Sequence, residues 1–395
     1  MTRPVFCVAV MRWLTVVVLI ESLYGFCIAQ ESNGTITEKA VHERIADRDF
    51  PSIFQAWNKC DSLPDEDMHT TLARHDLYFT GPSAFGLKWN NDYSGLSDAF
   101  VPDTIKFALK NRTALMQKNP NLIILAEIRY YDANASYLPE DHNWFMRDPN
   151  GIPVPGWEEG KYWRLDFKNP AFREHVAKQA GAAVASGIFD GIMLDWWKDD
   201  KDRLELVKTI RKTIGPEALI LCNANDRETP DTAPFINGYF MECYRTATVQ
   251  DWDRIAETLH WAEKNLRKPT INCLETWYHT SRQDVPLMRA TTTLAMTLSD
   301  GYCLFSDPNP LPTPDHLHDW YPFWEARPGK PAAAGKRDEK GCYVRPYDNA
   351  IVMYNPMGNP PATYHFPTPL KSAATGKIST EHTLQSCDGD IFLNL

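Results

Sequence analysis

The sequence predicts an α/β fold: a closed (β/α)8 TIM barrel with a small C-terminal antiparallel β appendage. Three observations carry this. Eight short apolar runs recur between residues 49 and 335, each bounded by turn residues and too short for a helix. Segments with helical periodicity separate them, which is the alternation of parallel α/β architecture. No G-x-G-x-x-G or P-loop turn is present, and an open doubly wound sheet normally carries one.

In chain order, residues 1–29 read as a secretory signal peptide. Arg3 and Arg12 precede or flank an apolar stretch at 13–20, and Cys27-Ile28-Ala29 form a small-residue cleavage pattern before Gln30. The apolar run is short for a membrane span, so the expected product is secreted or periplasmic, with no membrane attachment after cleavage. Residues 30–48 form a polar lead-in with a short helix from Thr37. The strand candidates are 51–57 (PSIFQAW), 74–81 (RHDLYFTG), 122–129 (LIILAEIR) and 189–195, followed by 218–223 (ALILCN), 238–243 (GYFMEC), 269–275 (PTINCLE) and 301–306 (GYCLFS). Helices are expected at 103–118, 171–186, 202–214, 250–265 and 285–298, with the fifth helix reduced. Residues 130–169 make a polar and aromatic insertion of a length that is usually functional. A Pro-rich surface connection at 308–331 leads to the appendage, residues 336–395. There 342–347 and 350–354 flank Asp348-Asn349 in a hairpin pattern, with further strands at 363–366 and 390–393.

With 43% hydrophobic residues the chain has an ordinary globular core, and its net charge of −10 argues against binding nucleic acid or anionic membranes by charge. Seven cysteines follow residue 29, four of them inside predicted strands. An odd count without repeated spacings predicts neither a disulfide framework nor a zinc site, and leaves room for one bridge. The unusual feature is 13 Trp, 16 Tyr and 18 Phe, side chains whose faces stack on apolar surfaces such as those of sugars.

Asp195, Glu242 and Glu275 recur at the ends of strands four, six and seven, the end of a barrel that carries the chemistry. Cleaving a glycosidic bond takes two such acids. One is ionised, to attack or to activate water; the other is protonated, to release the leaving oxygen. A strand-end acid can instead cap a helix or pair with a buried Arg. Glu127, Arg129, Asn223 and Tyr244 also stand at or just beyond strand ends, where they would hold hydroxyls or orient the acids. Trp163, Trp196, Trp197, Trp277 and Tyr278 are the stacking candidates. No cofactor and no metal are expected. The His-x-His spacing in Asp315-His316-Leu317-His318-Asp319 lies in the Pro-rich segment and reads as solvated loop histidines, and His75 beside Asp76 is an equally weak signal. There is no Gly-x-Ser-x-Gly elbow for a serine nucleophile.

The run FDGIMLDWW, followed by FMECY and CLETWY, resembles glycoside hydrolase families with (β/α)8 barrels. It is similar to the endo-α-1,4-polygalactosaminidase-like group, whose fourth strand reads F-D-G-[VI]-x-L-D. Bacterial members of that kind share R-H-D-L and G-L-K-W-N segments, found here at 74–77 and 86–90, and an R-x-[FY]-x-N-x-x-[VI] hairpin, here 345–352. The resemblance covers residues 50–395 and implies that Asp195 is the nucleophile and Glu242 the general acid/base. The chain departs from the group at M-E-C, where the group has N-E, and at Trp196-Trp197, where Asn-Val is common. The expected activity is retaining hydrolysis of an α-linked oligo- or polysaccharide. The alternatives are a barrel that only binds carbohydrate, one with Glu275 as nucleophile and Asp195 as acid, and a metal-dependent hydrolase of another polymer substituent.

Overall fold

The computed structural model describes residues 38–308 and 315–395. The signal peptide read at 1–29 and the helix start at Thr37 lie outside the described residues. The chain enters through α1 (Val41–Asp47), β1 (Phe54–Ala56), α2 (Met68–Ala73), β2 (Leu77–Thr80), α3 (Pro102–Lys118) and β3 (Ile123–Glu127). An insertion follows with a two-stranded hairpin, β4 (Asp132–Asn134) and β5 (Tyr162–Arg164). Then come α4 (Pro170–Ala185), β6 (Gly191–Leu194), α5 (Lys201–Ile214), β7 (Leu219–Asn223), β8 (Gly238–Cys243), α6 (Val249–Asn265), β9 (Cys273–Trp277), α7 (Val285–Leu298) and β10 (Tyr302–Ser306). Between β7 and β8 only a 3-10 turn at Ala233–Phe235 stands where a fifth helix would be. The helix α2 was not anticipated from sequence.

Eight strands pair in parallel in the order β1-β2-β3-β6-β7-β8-β9-β10, and a bridge from Ile53 to Cys303 closes the ring. The fold is therefore the expected barrel. Strand seven starts later than the apolar run suggests, at Cys273. Thr276 on that strand bonds Thr291 of α7 at 2.6 Å, so by strand alternation its neighbours Glu275 and Trp277 face the barrel interior. Glu275 thus sits in mid-strand, paired in register with Glu242, and not at the strand end. Aromatic rings fill the lumen. Phe54, Phe79 and Phe240 pack with centroids 5.0–6.1 Å apart, and Glu242 stands one pleat above Phe240 on the same face.

The opposite end of the barrel is tied by Asp190, the residue before β6. Its carboxylate accepts from Arg44 of α1, from Arg112 of α3 at 2.9 Å and from the Ile124 amide at 2.9 Å. Next to it, Gly191 has no room for a side chain, since a Cβ there would lie 2.1 Å from the Leu219 carbonyl oxygen.

The C-terminal sheet comprises β11 (Lys336–Arg337), β12 (Tyr343–Tyr347), β13 (Ala350–Asn355), β14 (Ala362–Ser372), β15 (Ile378–Leu384) and β16 (Asp388–Leu393). Its order is β11-β12-β13-β16-β14-β15, and Asp348-Asn349 forms the two-residue turn between Tyr347 and Ala350. The sheet packs on α7, which is buried on nearly every side. That explains a helix of Thr, Ala and Leu: its hydroxyls fold back on their own carbonyls, as Thr292 does on Met288 at 3.0 Å. Its one charge, Arg289, pairs with Asp388 of β16 at 2.7 Å. The seven cysteines of the described residues are all free. Among those residues, no helix is long and apolar enough to cross a membrane.

Candidate active site

At the C-terminal end of the barrel strands lies a cleft of about 540 Å³, within the usual size of a ligand site. Asp195, immediately after β6, and Glu242, near the end of β8, both open into it. Asn223 at the end of β7 joins them. Its Nδ2 donates to Asp195 Oδ1 at 2.8 Å and to Glu242 Oε2 at 2.9 Å. The two hydrogens of one amide nitrogen thus serve both carboxyl groups at once. Asp195 Oδ1 also accepts the Trp196 amide at 2.9 Å. Burial, with the charges of Glu275 and Asp195 adding to it, pushes the Glu242 carboxyl up to about 8, against the opposing pull of His316 and the Asn223 bond.

Glu275 does not line the cleft. It is fully buried, with Oε1 accepting from Ser306 Oγ at 2.5 Å and from His316 Nδ1 at 2.8 Å. His316 is the residue that sequence reasoning dismissed. It is not a solvated loop histidine: it is 1% exposed, its ring 5.1 Å from Trp57, and its Nε2 lies 3.3 Å from Asp315 and 3.8 Å from Glu242. Burial works against a charged ring, but the Glu275 charge, the bonds to Asp315 and Glu275 and the charge of Glu242 outweigh it and hold His316 well above its ordinary value. Glu242, Glu275 and His316 each bring one ligand-type atom within 4.8 Å of the others. An imidazole set among the Glu275, Asp315 and Glu242 carboxyls is stabilised by its second proton, and we read the group as an ion-paired cluster. The other motif histidine, His318, is also buried, its Nε2 2.9 Å from His75 Nε2 and its Nδ1 on the His316 carbonyl at 3.0 Å.

The remaining expected site residues separate into three groups. Arg129, Trp196, Trp197, Tyr244 and Trp277 line the cleft. Glu127 faces an adjoining chamber, where it accepts from Trp57 Nε1 at 2.9 Å and pairs with Arg129 at 3.0 Å. Trp163 and Tyr278 line neither space. Trp163 sits in the hairpin against Phe145, with ring centroids 5.1 Å apart, and its neighbour Tyr162 reaches the cleft instead, together with Trp57, Tyr131 and Trp157. Trp197 is completely buried and donates to Thr232 at 3.1 Å, so it supports the wall. Trp196 is the exposed indole, stacked on Tyr131 at 5.3 Å, with the Arg164 guanidinium 3.6 Å from the Tyr131 ring.

The cleft is also where the backbone is held in an uncommon conformation. Trp57, Trp196, Asn225 and His316 have φ of 44°, 55°, 52° and 56°, and all four line the cleft. For bulky residues this left-handed region is disfavoured, and such conformations collect at functional sites. At Trp196 the carbonyl is fixed by Tyr130 Oη at 2.9 Å and Arg203 at 2.8 Å.

No protein-family model matches the chain, and no curated protein matches it, so the endo-α-1,4-polygalactosaminidase-like group suggested by the motifs finds no support there. Among solved structures the chain is similar to a maltogenic α-amylase from Thermotoga neapolitana, at 12% identity and TM-score 0.52, over 87% of this chain and 99% of that one. It is also similar to the cyclic α-maltosyl-(1→6)-maltose hydrolase from Arthrobacter globiformis, at 11% identity and TM-score 0.51, over 87% of this chain and 99% of that one. The α-amylase from Malbranchea cinnamomea matches at 8% identity and TM-score 0.51, over 90% and 98% of the two chains. At these identities the likeness establishes the fold: this chain shares the barrel architecture of those hydrolases.

Proposed function

We propose that the protein is a retaining glycoside hydrolase of α-linked oligo- or polysaccharides, with Asp195 as nucleophile and Glu242 as general acid/base. The observation that carries the reading is the Asn223 bridge, which joins two carboxyl groups across one cleft through a single amide nitrogen; retention calls for such a pair at about 5–5.5 Å, inversion for about 6.5–9.5 Å to admit a water. In the first step Glu242 gives its proton to the leaving oxygen while Asp195 bonds to the anomeric carbon. In the second Glu242 takes a proton from water, whose oxygen displaces Asp195. A carboxyl that keeps its proton up to about pH 8 suits the first task at neutral pH. Trp196, Tyr244 and Trp277 offer ring faces to the sugar. The α-linkage is supported by the names of the solved neighbours, two α-amylases and an α-maltosyl-maltose hydrolase. Glu275 as nucleophile is disfavoured, because it is fully buried and lines no part of the cleft. Residues 1–29, read as a signal peptide, would place the enzyme outside the cytoplasm, which N-terminal sequencing of the exported protein checks.

The test is release of new reducing ends from a panel of α- and β-linked polysaccharides by the parent, Asp195→Asn and Glu242→Gln, each first checked for folding. The expected result is cleavage of an α-linked member by the parent alone, with the product's anomeric configuration retained. Full activity in Asp195→Asn, or glycan binding without any cleavage by the parent, would overturn the assignment.

A further inference from the structure

We propose that His316 is the positioning residue of the Asp195–Glu242 pair, a positively charged imidazole that Glu275 and Asp315 hold with Nε2 turned toward the Glu242 carboxyl. This rests on the hydrolase reading above and adds what that reading leaves unassigned: the role of a fully buried third carboxylate and of a histidine from beyond the last strand.

The seat of the ring is built from both sides. Nδ1 is fixed by Glu275 Oε1 at 2.8 Å, an oxygen that Ser306 Oγ fixes in turn at 2.5 Å. Nε2 meets Asp315 Oδ2 at 3.3 Å and Glu242 Oε1 at 3.8 Å. The ring lies beside Trp57 and Phe240, with centroids 5.1 and 5.9 Å away. Its backbone is pinned as well, since the His316 carbonyl accepts from His318 Nδ1 at 3.0 Å and His318 meets His75, which precedes β2, at 2.9 Å. The ring is therefore held at both nitrogens and flanked by two aromatic rings, with Nε2 on the side of Glu242.

The chemistry makes use of such a charge at one stage. When Glu242 has given its proton to the leaving oxygen, it becomes a carboxylate in a buried site beside Glu275. A cation facing that oxygen offsets the new charge until water returns a proton. His316 keeps its own two protons throughout, so no proton is gained or lost from the scheme. Glu275 lines no part of the cleft, and its contact with the reaction runs through His316: it keeps the imidazole charged and oriented.

The experiment is a carboxyl-13C NMR titration of Glu242 in the substrate-free protein, comparing the parent with His316→Gln and Glu275→Gln, alongside the imidazole 15N shifts of His316. Expected are two protonated nitrogens on His316 at pH 7 in the parent, and a Glu242 midpoint displaced upward by about one pH unit or more in His316→Gln. Where a cleaved glycan is in hand, the basic limb of the kcat/KM profile moves up with it, kcat falls and KM changes little. His316→Lys brings the limb back toward the parent position. Should His316→Gln fail to fold, Glu275→Gln gives the same reading through the His316 nitrogen shifts. A neutral His316 at pH 7, a Glu242 titration unmoved by both variants, or stoichiometric zinc in the purified protein that displaces the His316 signals would each overturn the proposal. Because the titration uses no substrate, it decides the role of His316 separately from the glycan panel, which decides the reaction.

Discussion

Asp190 and Asp195 bracket the four residues of β6, one carboxylate locked at each end of the same strand. Asp190 is buried on Arg44 and Arg112, while Asp195 opens into the cleft and bonds Asn223. Two acids five positions apart thus do different work, one holding the barrel and one facing its contents.

Replacing Asp190 by Ala leaves two guanidinium groups facing each other without their shared anion. The expected loss is about 3–5 kcal/mol of stability, read as a shift of the urea midpoint, whereas Asp195→Asn leaves that midpoint within about 0.5 kcal/mol of the parent. Equal effects from the two substitutions would contradict the division of roles.

Gly191→Ala drives a methyl group into the Leu219 carbonyl oxygen, 2.1 Å away. The atoms it meets are all backbone of Leu219 and cannot turn aside as a side chain would, so the expected cost is about 1–3 kcal/mol. Calorimetry of the purified variant measures it, and a melting temperature unchanged from the parent rules the clash out.

Stability is expected to fall as pH rises from about 6.5 to 8. Burial is the leading cause that lifts Asp76 to about 7 and Glu242 to about 8, and unfolded carboxyls titrate near pH 4, at about 3.9–4.3. In that window the native state holds protons that the unfolded chain has released, which makes the slope negative. His316, held well above its ordinary value, acts in the same direction. His75 and His318, which burial pushes down to about 3 and about 4, act oppositely, but only below the unfolded histidine value of about 6.5. Denaturant melts at three pH values check the slope, and Glu242→Gln should flatten it.

Trp196 offers the most exposed indole of the cleft. In an Asp195→Asn background that binds without turnover, Trp196→Ala should weaken glycan affinity by roughly 2- to 10-fold, the worth of one aromatic stacking contact. Titration calorimetry with a cleaved oligosaccharide measures it, and an unchanged Kd would remove Trp196 from the binding surface.

Much of the architecture was legible because a parallel barrel buries both faces of its strands. The run at 238–243 coincides with β8, and Asp348-Asn349 marks its turn by residue type alone. What was illegible depends on partners distant in sequence. His316 meets Glu275 across 41 positions, and nothing beside it in the chain distinguishes it from a solvated histidine. Register was the other gap. Tyr162 and Trp163 are neighbours on β5 and point apart, so which of them faces the cleft follows from the pairing of the hairpin, not from composition.

The left-handed residues around the cleft have an evolutionary consequence. At Trp57, Trp196, Asn225 and His316, any new side chain must first tolerate the backbone and only then serve a ligand. Glycine and asparagine pass that filter, while valine, isoleucine and threonine are turned away by their branched Cβ. The rim can therefore change specificity by few single steps at these four points. Variation in what the cleft accepts falls to neighbours in ordinary conformations, such as Tyr131, Trp157 and Tyr244.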